Sequence, residues 1–283
     1  MASPQASTKL RKLGANHTAV PFARRGLNPF GDFITFIKLL KVLWYERPDV
    51  VLSYTIKPVI WGGLACLLLG INHVSLITGI GTSLHSKTGM KNYLVRFTVL
   101  LLYRLSLAHA KSVVFQNHDN LDLFHKKKLI HSHQAIVISG SGVNTSVFKY
   151  SAPKIEKYKF LCIARLLKEK GIYEFIKSAE QVKLTHPDTE FQLLGGEEEL
   201  GDSVPISLIK RMHKRGIITY YGEVEDVRPY IEESSVFVLP SYHEGLPRST
   251  LEAMSIGRAI ITTYAPGCRD TVEEGVNGFL VEV

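Results

Sequence analysis

The sequence predicts an α/β protein made of two Rossmann-like, doubly wound domains. Short and continuously apolar runs such as YKFLCIA (158–164), SVFVLP (235–240) and AIITTY (259–264) read as strands buried on both faces. Amphipathic stretches of helical period separate them, and that alternation indicates a parallel sheet with helical crossovers. The first half shows the same habit less regularly, and 283 residues give room for two domains of ordinary size.

Taken in order, LRKLG (10–14) reads as a helix end with Gly14 as its C-cap. Residues 33–44 form an amphipathic helix, 49–54 a strand, 59–69 a helix and 73–78 a strand. A long helix at 93–107 is apolar on most faces, and strands follow at 111–117 and 135–140. Periodicity then lapses in GVNTSVFKYSAPKIEKY, which places the domain boundary between residues 152 and 153. Beyond it, strands at 158–164, 191–196, 217–222, 235–240 and 259–264 alternate with helices at 172–184, 205–214, 227–233 and 247–256. NGFLVEV (277–283) is a last strand. No apolar strand precedes residue 10 and no helix follows residue 283, so both domains are expected to be incomplete.

Charge is divided unevenly. Residues 1–152 hold 18 Lys/Arg against 5 Asp/Glu, and residues 153–283 hold 16 against 21, balances of +13 and −5 that make the net +8. The basic half is expected to face something anionic. No nucleic-acid recognition motif accompanies it, which favours an anionic membrane surface, with Lys91, Arg96 and Arg104 set along the apolar helix, over nucleic acid; a plain aid to solubility is the other reading. The apolar run 59–71 is too short to span a bilayer core of ~30 Å, and the N-terminus lacks the apolar h-region of a secretory signal. Three cysteines, Cys66, Cys162 and Cys268, are odd in number and without metal-ligand spacing. They read as reduced thiols in or near the core of a cytosolic protein, and no metal site is expected.

The chemistry concentrates in HEGLPRSTLEAM (243–254). Ligands of open α/β sheets bind beyond the carboxyl ends of the strands, where this segment must lie after SVFVLP. Pro247 is expected at the first helical position, which leaves the amides of Arg248 and Ser249 facing outward as donors to a diphosphate. Glu252, one turn on, can accept from the hydroxyls of a ribose, and Glu244 from those of a second sugar. A second element, ARLLKEKG (164–171), places Arg165 at a strand end and Lys170 just before Gly171. Two cations there can neutralise the charge growing on a departing nucleoside diphosphate.

These motifs resemble the retaining family-4 glycosyltransferases of GT-B fold. The family's pair of glutamates with seven residues between them is matched by Glu244 and Glu252, and its intervening context by Gly245, Leu246 and Pro247. Its phosphate-binding Arg and Lys map onto Arg165 and Lys170, and AIITT…EEGVNGFLV (259–281) is similar to its closing segment. The resemblance implies transfer of a sugar from a nucleotide sugar, with UDP the expected carrier, without a metal or other cofactor. SYTIKPVIWGGLAC (53–66) and ITGIGTSL (77–84) resemble the branch that extends lipid-linked or polysaccharide glycans. That branch implies a glycan or polyprenyl-diphosphate-linked acceptor at the inner face of the membrane, with Lys57, Gly79 and Gly81 as acceptor-side candidates. Two rivals remain at this stage: an inactive nucleotide-sugar-binding remnant, and a UDP-sugar 2-epimerase, which would need acid–base side chains around the sugar.

Overall fold

The computed structural model describes residues 4–22, 28–79, 90–153, 157–198 and 202–283. The chain divides into two compact units, Met1–Val137 and Ile138–Val283. The division falls earlier than the expected boundary at 152/153 because the segment after Val137 bonds to the second unit. Ser255 Oγ donates to the Phe148 carbonyl at 2.6 Å, the Ser151 amide to that of Ile256 at 3.0 Å, and buried Arg258 to that of Ser151 at 2.6 Å. The first unit therefore ends with its last strand, at Val137, and the residues where periodicity lapses belong to the second unit.

The first unit runs α1 (Pro4–Lys12), α2 (Pro29–Glu46), β1 (Val50–Tyr54), α3 (Ile56–Leu69), β2 (Asn72–Ile77), α4 (Met90–Leu107), β3 (Ser112–Phe115), α5 (His118–Lys126) and β4 (Ala135–Val137). Its described strands form a parallel sheet in chain order, β1-β2-β3-β4, with Val50 opposite Asn72 and Val74 opposite Ser112. Gly62 and Gly63 let α3 press onto this sheet. A Cβ at Gly62 would lie 2.7 Å from Ser53 Oγ, and one at Gly63 2.8 Å from His73 Cε1. α3 then stops at Gly70, whose left-handed φ of +67° lets its amide reach the Cys66 carbonyl. Val59, Ile77, Tyr103, Phe115 and Phe124 form the core between helices and sheet. The sequence reading missed α5, a short polar helix whose entry is fixed by Asn117 accepting from the Asn120 amide at 2.8 Å.

The second unit runs β5 (Lys159–Ile163), α6 (Ile172–Thr185), β6 (Glu190–Leu194), α7 (Ile206–Lys214), β7 (Thr219–Gly222), α8 (Arg228–Glu233), β8 (Val236–Leu239), α9 (Arg248–Ile256), β9 (Ala259–Thr263) and β10 (Gly278–Val281). Its parallel sheet has the order β10-β9-β8-β5-β6-β7. The chain winds outward from β5 to β7, then returns to place β8 on the other side of β5. Phe175, Phe191 and Ile209 belong to one core cluster, and Leu161, Phe237 and Ile260 to another. Each such apolar side chain contributes roughly 1.5–3 kcal/mol on burial. The reversal between β5 and β8 is the position where a doubly wound sheet opens a crevice for ligand. Cys66, Cys162 and Cys268 are buried free thiols. Among the described residues, no helix is long and apolar enough to cross a membrane.

Candidate active site

Two loops leave the sheet at this reversal, one after β5 and one after β8, and backbone bonds join them. The Tyr242 amide donates to the Glu169 carbonyl at 2.9 Å, and Ser241 Oγ to the same oxygen at 3.1 Å. Lys168–Lys170 forms a 3-10 turn closed by Gly171 at φ +68°, where any Cβ would lie 2.0 Å from the Pro240 carbonyl oxygen. Only glycine serves there. This junction brings Lys170 Nζ to 2.6 Å from Glu244 Oε1, with side-chain exposures of 11% and 18%.

A third segment, after β9, closes in the Glu244 loop. The Glu244 amide donates to the Pro266 carbonyl at 3.0 Å. Gly267 has φ +77°, and a Cβ on it would lie 2.4 Å from the carbonyl oxygens of both Glu244 and Gly245. Thr263 Oγ1 donates to the Ser241 carbonyl. Cys268 is buried beside this loop, and burial pushes its thiol up to about 11, so it stays protonated and unreactive.

The other predicted donor-side residues share the same edge, with differences. Arg165 follows β5 and ion-pairs with Glu198 at 2.8 Å. Pro247 is the N-cap of α9, not its first helical residue: its ψ of 114° is extended, and the helix begins at Arg248. Having no polar side chain, Pro247 gives the first-turn amides no side-chain cap. Glu252 does not reach freely outward. Its side chain is 12% exposed and accepts from Arg248 Nε at 2.9 Å. Burial raises the Glu252 carboxyl, and Arg248 opposes part of that rise. Leu246 turns to the Gly140 segment, where its side chain is packed closely.

In the first unit, Lys57 lies in the first turn of α3 and pairs with Asp32, in the first turn of α2, at 2.7 Å. The side-chain exposures are 18% and 10%. Asp32 escaped the sequence reading because an acid in a first helical turn is an ordinary dipole partner. Thr55, between β1 and α3, has φ +67° and ψ 162°, a region nearly reserved for glycine that costs on the order of 1–3 kcal/mol. Gly79 follows β2 with open space around it, and Gly81 lies outside the described residues. Among the described residues, no group of three or more His, Cys, Asp or Glu side chains is arranged to hold a metal ion.

Both halves of the chain match known families. Residues 157–283 match the family Glycosyl transferases group 1, and residues 1–117 match Glycosyl transferase 4-like. The N,N'-diacetylbacillosaminyl-diphospho-undecaprenol alpha-1,3-N-acetylgalactosaminyltransferase of Campylobacter jejuni is 31% identical over 95% of this chain and 73% of its own length. The chain belongs to the GT-B glycosyltransferases of family 4. A second relative of this glycosyltransferase is the UDP-Gal:alpha-D-GlcNAc-diphosphoundecaprenol alpha-1,3-galactosyltransferase of Escherichia coli, 27% identical over 93% of this chain and 70% of the relative. Its fold is that of Anabaena Alr3699/HepE, solved in complex with UDP-glucose. The TM-score is 0.76 at 18% identity, covering 99% of this chain and 76% of that one.

Proposed function

We propose that this glycosyltransferase moves a sugar from a UDP-sugar to a hydroxyl of a glycan carried on polyprenyl diphosphate or in a growing polysaccharide, with retention of the anomeric configuration. The observation that carries the reading is that Arg165, Lys170 and Glu244 lie on the loops at one sheet reversal, with Glu252 on the helix that follows the second loop. The names of the two relatives, which act on diphospho-undecaprenol-linked sugars, support the acceptor class. The UDP-glucose complex of the similarly folded protein supports the donor class.

In this reading Glu252 accepts from the ribose hydroxyls, and the amides at the start of α9 meet the diphosphate. Lys170 gives one of its three N–H donors to Glu244 and offers the others to the phosphates, alongside Arg165. Glu244 and Gly245 hold the sugar. The bond from the anomeric carbon to the β-phosphate oxygen breaks with its electron pair passing to the phosphate. The acceptor hydroxyl bonds to the same face of that carbon, and its proton passes to the departing phosphate oxygen. Arg165 and Lys170 supply the positive charge that stabilises the leaving group, and no metal is assigned to the step. On the acceptor side, Lys57, held by Asp32, and the backbone at Gly79 face the incoming glycan.

An acceptor on a lipid requires contact with a bilayer, and α4 fits that task. Tyr93, Leu94, Phe97, Leu101 and Leu105 lie 45–68% exposed along it, and the helix contains no acidic residue. With Arg96 and Arg104 on the same helix, this stripe suits the anionic inner face of the cytoplasmic membrane. The test of the donor reading is calorimetric titration with UDP of the wild-type chain and of Arg165→Ala and Glu252→Ala. Binding that both substitutions weaken at least tenfold is expected. Affinity unchanged by both would remove the assignment.

A further inference from the structure

We propose that Gly140 is a positioning residue for the donor loop, setting the place of Leu246 and through it the backbone that carries Glu244 and opens α9. The inference rests on the donor reading above but concerns a residue outside the family's motif. Gly140 is buried, three residues past Val137, the last residue of the first unit. Its φ is +68°, and its amide donates to the Ile138 carbonyl at 2.8 Å, closing a tight turn. A Cβ at this position would lie 2.5 Å from Leu246 Cδ2, 3.1 Å from its Cβ and 3.3 Å from its Cγ.

The 3.1 Å distance to Cβ decides the matter. A rotamer change can move Cδ2 away, but Leu246 Cβ is fixed by its own backbone. Relief therefore requires the peptide at residues 245–247 to shift by some tenths of an ångström. That peptide has little freedom: Gly267 leaves no space beside the Glu244 and Gly245 carbonyls, and the Glu244 amide is held by Pro266. The displacement passes to Glu244, with its bond to Lys170, and to Pro247, where α9 begins. Two left-handed glycines, at 140 and 267, thus close in the loop from two segments. The first of these segments is also the covalent connection to the first unit.

The structure contains its own control. Gly142 has almost the same conformation, φ +71°, with nothing within 4 Å of its would-be Cβ. Gly140→Ala and Gly142→Ala therefore carry the same left-handed strain, and only the first presses on Leu246. UDP affinity is measured by calorimetry on wild type, both alanine variants, Leu246→Ala, Leu246→Gly and Gly140→Ala/Leu246→Gly. Amide hydrogen exchange of residues 244–247 is followed in each. Gly140→Ala is expected to weaken UDP on the order of tenfold and to speed exchange in the loop, with Gly142→Ala doing neither. Adding Gly140→Ala to Leu246→Gly, which removes the Cβ as well, should cost little more than Leu246→Gly alone. Equal behaviour of the two glycine variants in both measurements would overturn the proposal, as would a Gly140→Ala effect that persists undiminished without the Leu246 side chain. Should the wild-type chain fail to bind UDP, the donor reading falls, and loop exchange still decides the role of Gly140. If Gly140→Ala fails to fold, Leu246→Ala tests the same contact from the other side: slower exchange or tighter UDP binding than wild type would count against it.

Discussion

Lys170 and Glu244 stand 74 positions apart in the chain and 2.6 Å apart in the fold, on the two loops that flank the sheet reversal. Both are mostly shielded from water, so removing Lys170 takes the adjacent cation from a half-buried carboxylate. Lys170→Ala is expected to lower stability by about 2 kcal/mol in chemical denaturation, and the further change Glu244→Gln to recover part of that loss. Transfer activity should fall at least about a hundredfold in Glu244→Gln, because its charge serves the reacting sugar as well as the pair. Full activity in Glu244→Gln would leave the pair a structural brace only.

His73, on β2, is a built-in acid sensitivity of the first unit. Burial under α3 pushes its imidazole down to about 4, with the Ser106 backbone opposing, and Ser75 Oγ lies 3.4 Å from its ring nitrogens. An unfolded chain takes up this proton near 6.5, the folded chain only near 4. The unfolded state therefore binds more protons between these values, and stability falls as pH drops through that window. Going from pH 7 to pH 5 should cost the first unit about 2 kcal/mol from this group. Urea titrations of wild type and His73→Asn at the two pH values would test it, and the same pH dependence in both proteins would refute it.

The exposed stripe of α4 gives a third expectation. Phe97→Ser with Leu101→Ser should leave the melting temperature nearly unchanged, since both side chains already face solvent. Sedimentation with vesicles containing a third phosphatidylglycerol should drop at least fivefold. Arg104→Gln should weaken binding to those vesicles by roughly 1 kcal/mol and leave binding to uncharged phosphatidylcholine vesicles alone. Equal sedimentation of wild type and the double serine variant would exclude this face as the contact.

What could be read without the fold was whatever the chain writes locally. The strand before Pro240, the turn at Gly245–Pro247 and the helix after it follow one another directly, so their order and place were legible from residue types. The partners of Lys170 and Lys57 were not, because each bond joins segments that become neighbours only through sheet order or helix packing. The helix α5 was missed because its nine residues make about two and a half turns and hold only three apolar side chains, Leu121, Leu123 and Phe124. Gly140 and Gly142 look alike in ISGSGVN, yet only one meets Leu246, a difference fixed by the path of a loop a hundred residues later.

Both cations proposed for the donor phosphates already hold a carboxylate: Lys170 has Glu244, and Arg165 has Glu198. On the donor reading the crevice is an ion exchanger already loaded before any nucleotide arrives. A diphosphate there shares cations that protein carboxylates already neutralise and releases few free counterions, so its affinity should depend on salt less steeply than at a bare cluster of cations. Inorganic phosphate, which brings charge but neither ribose for Glu252 nor sugar for Glu244, should gain little there. On that reading the carboxylates that receive the sugar nucleotide also make the site a poor home for smaller anions.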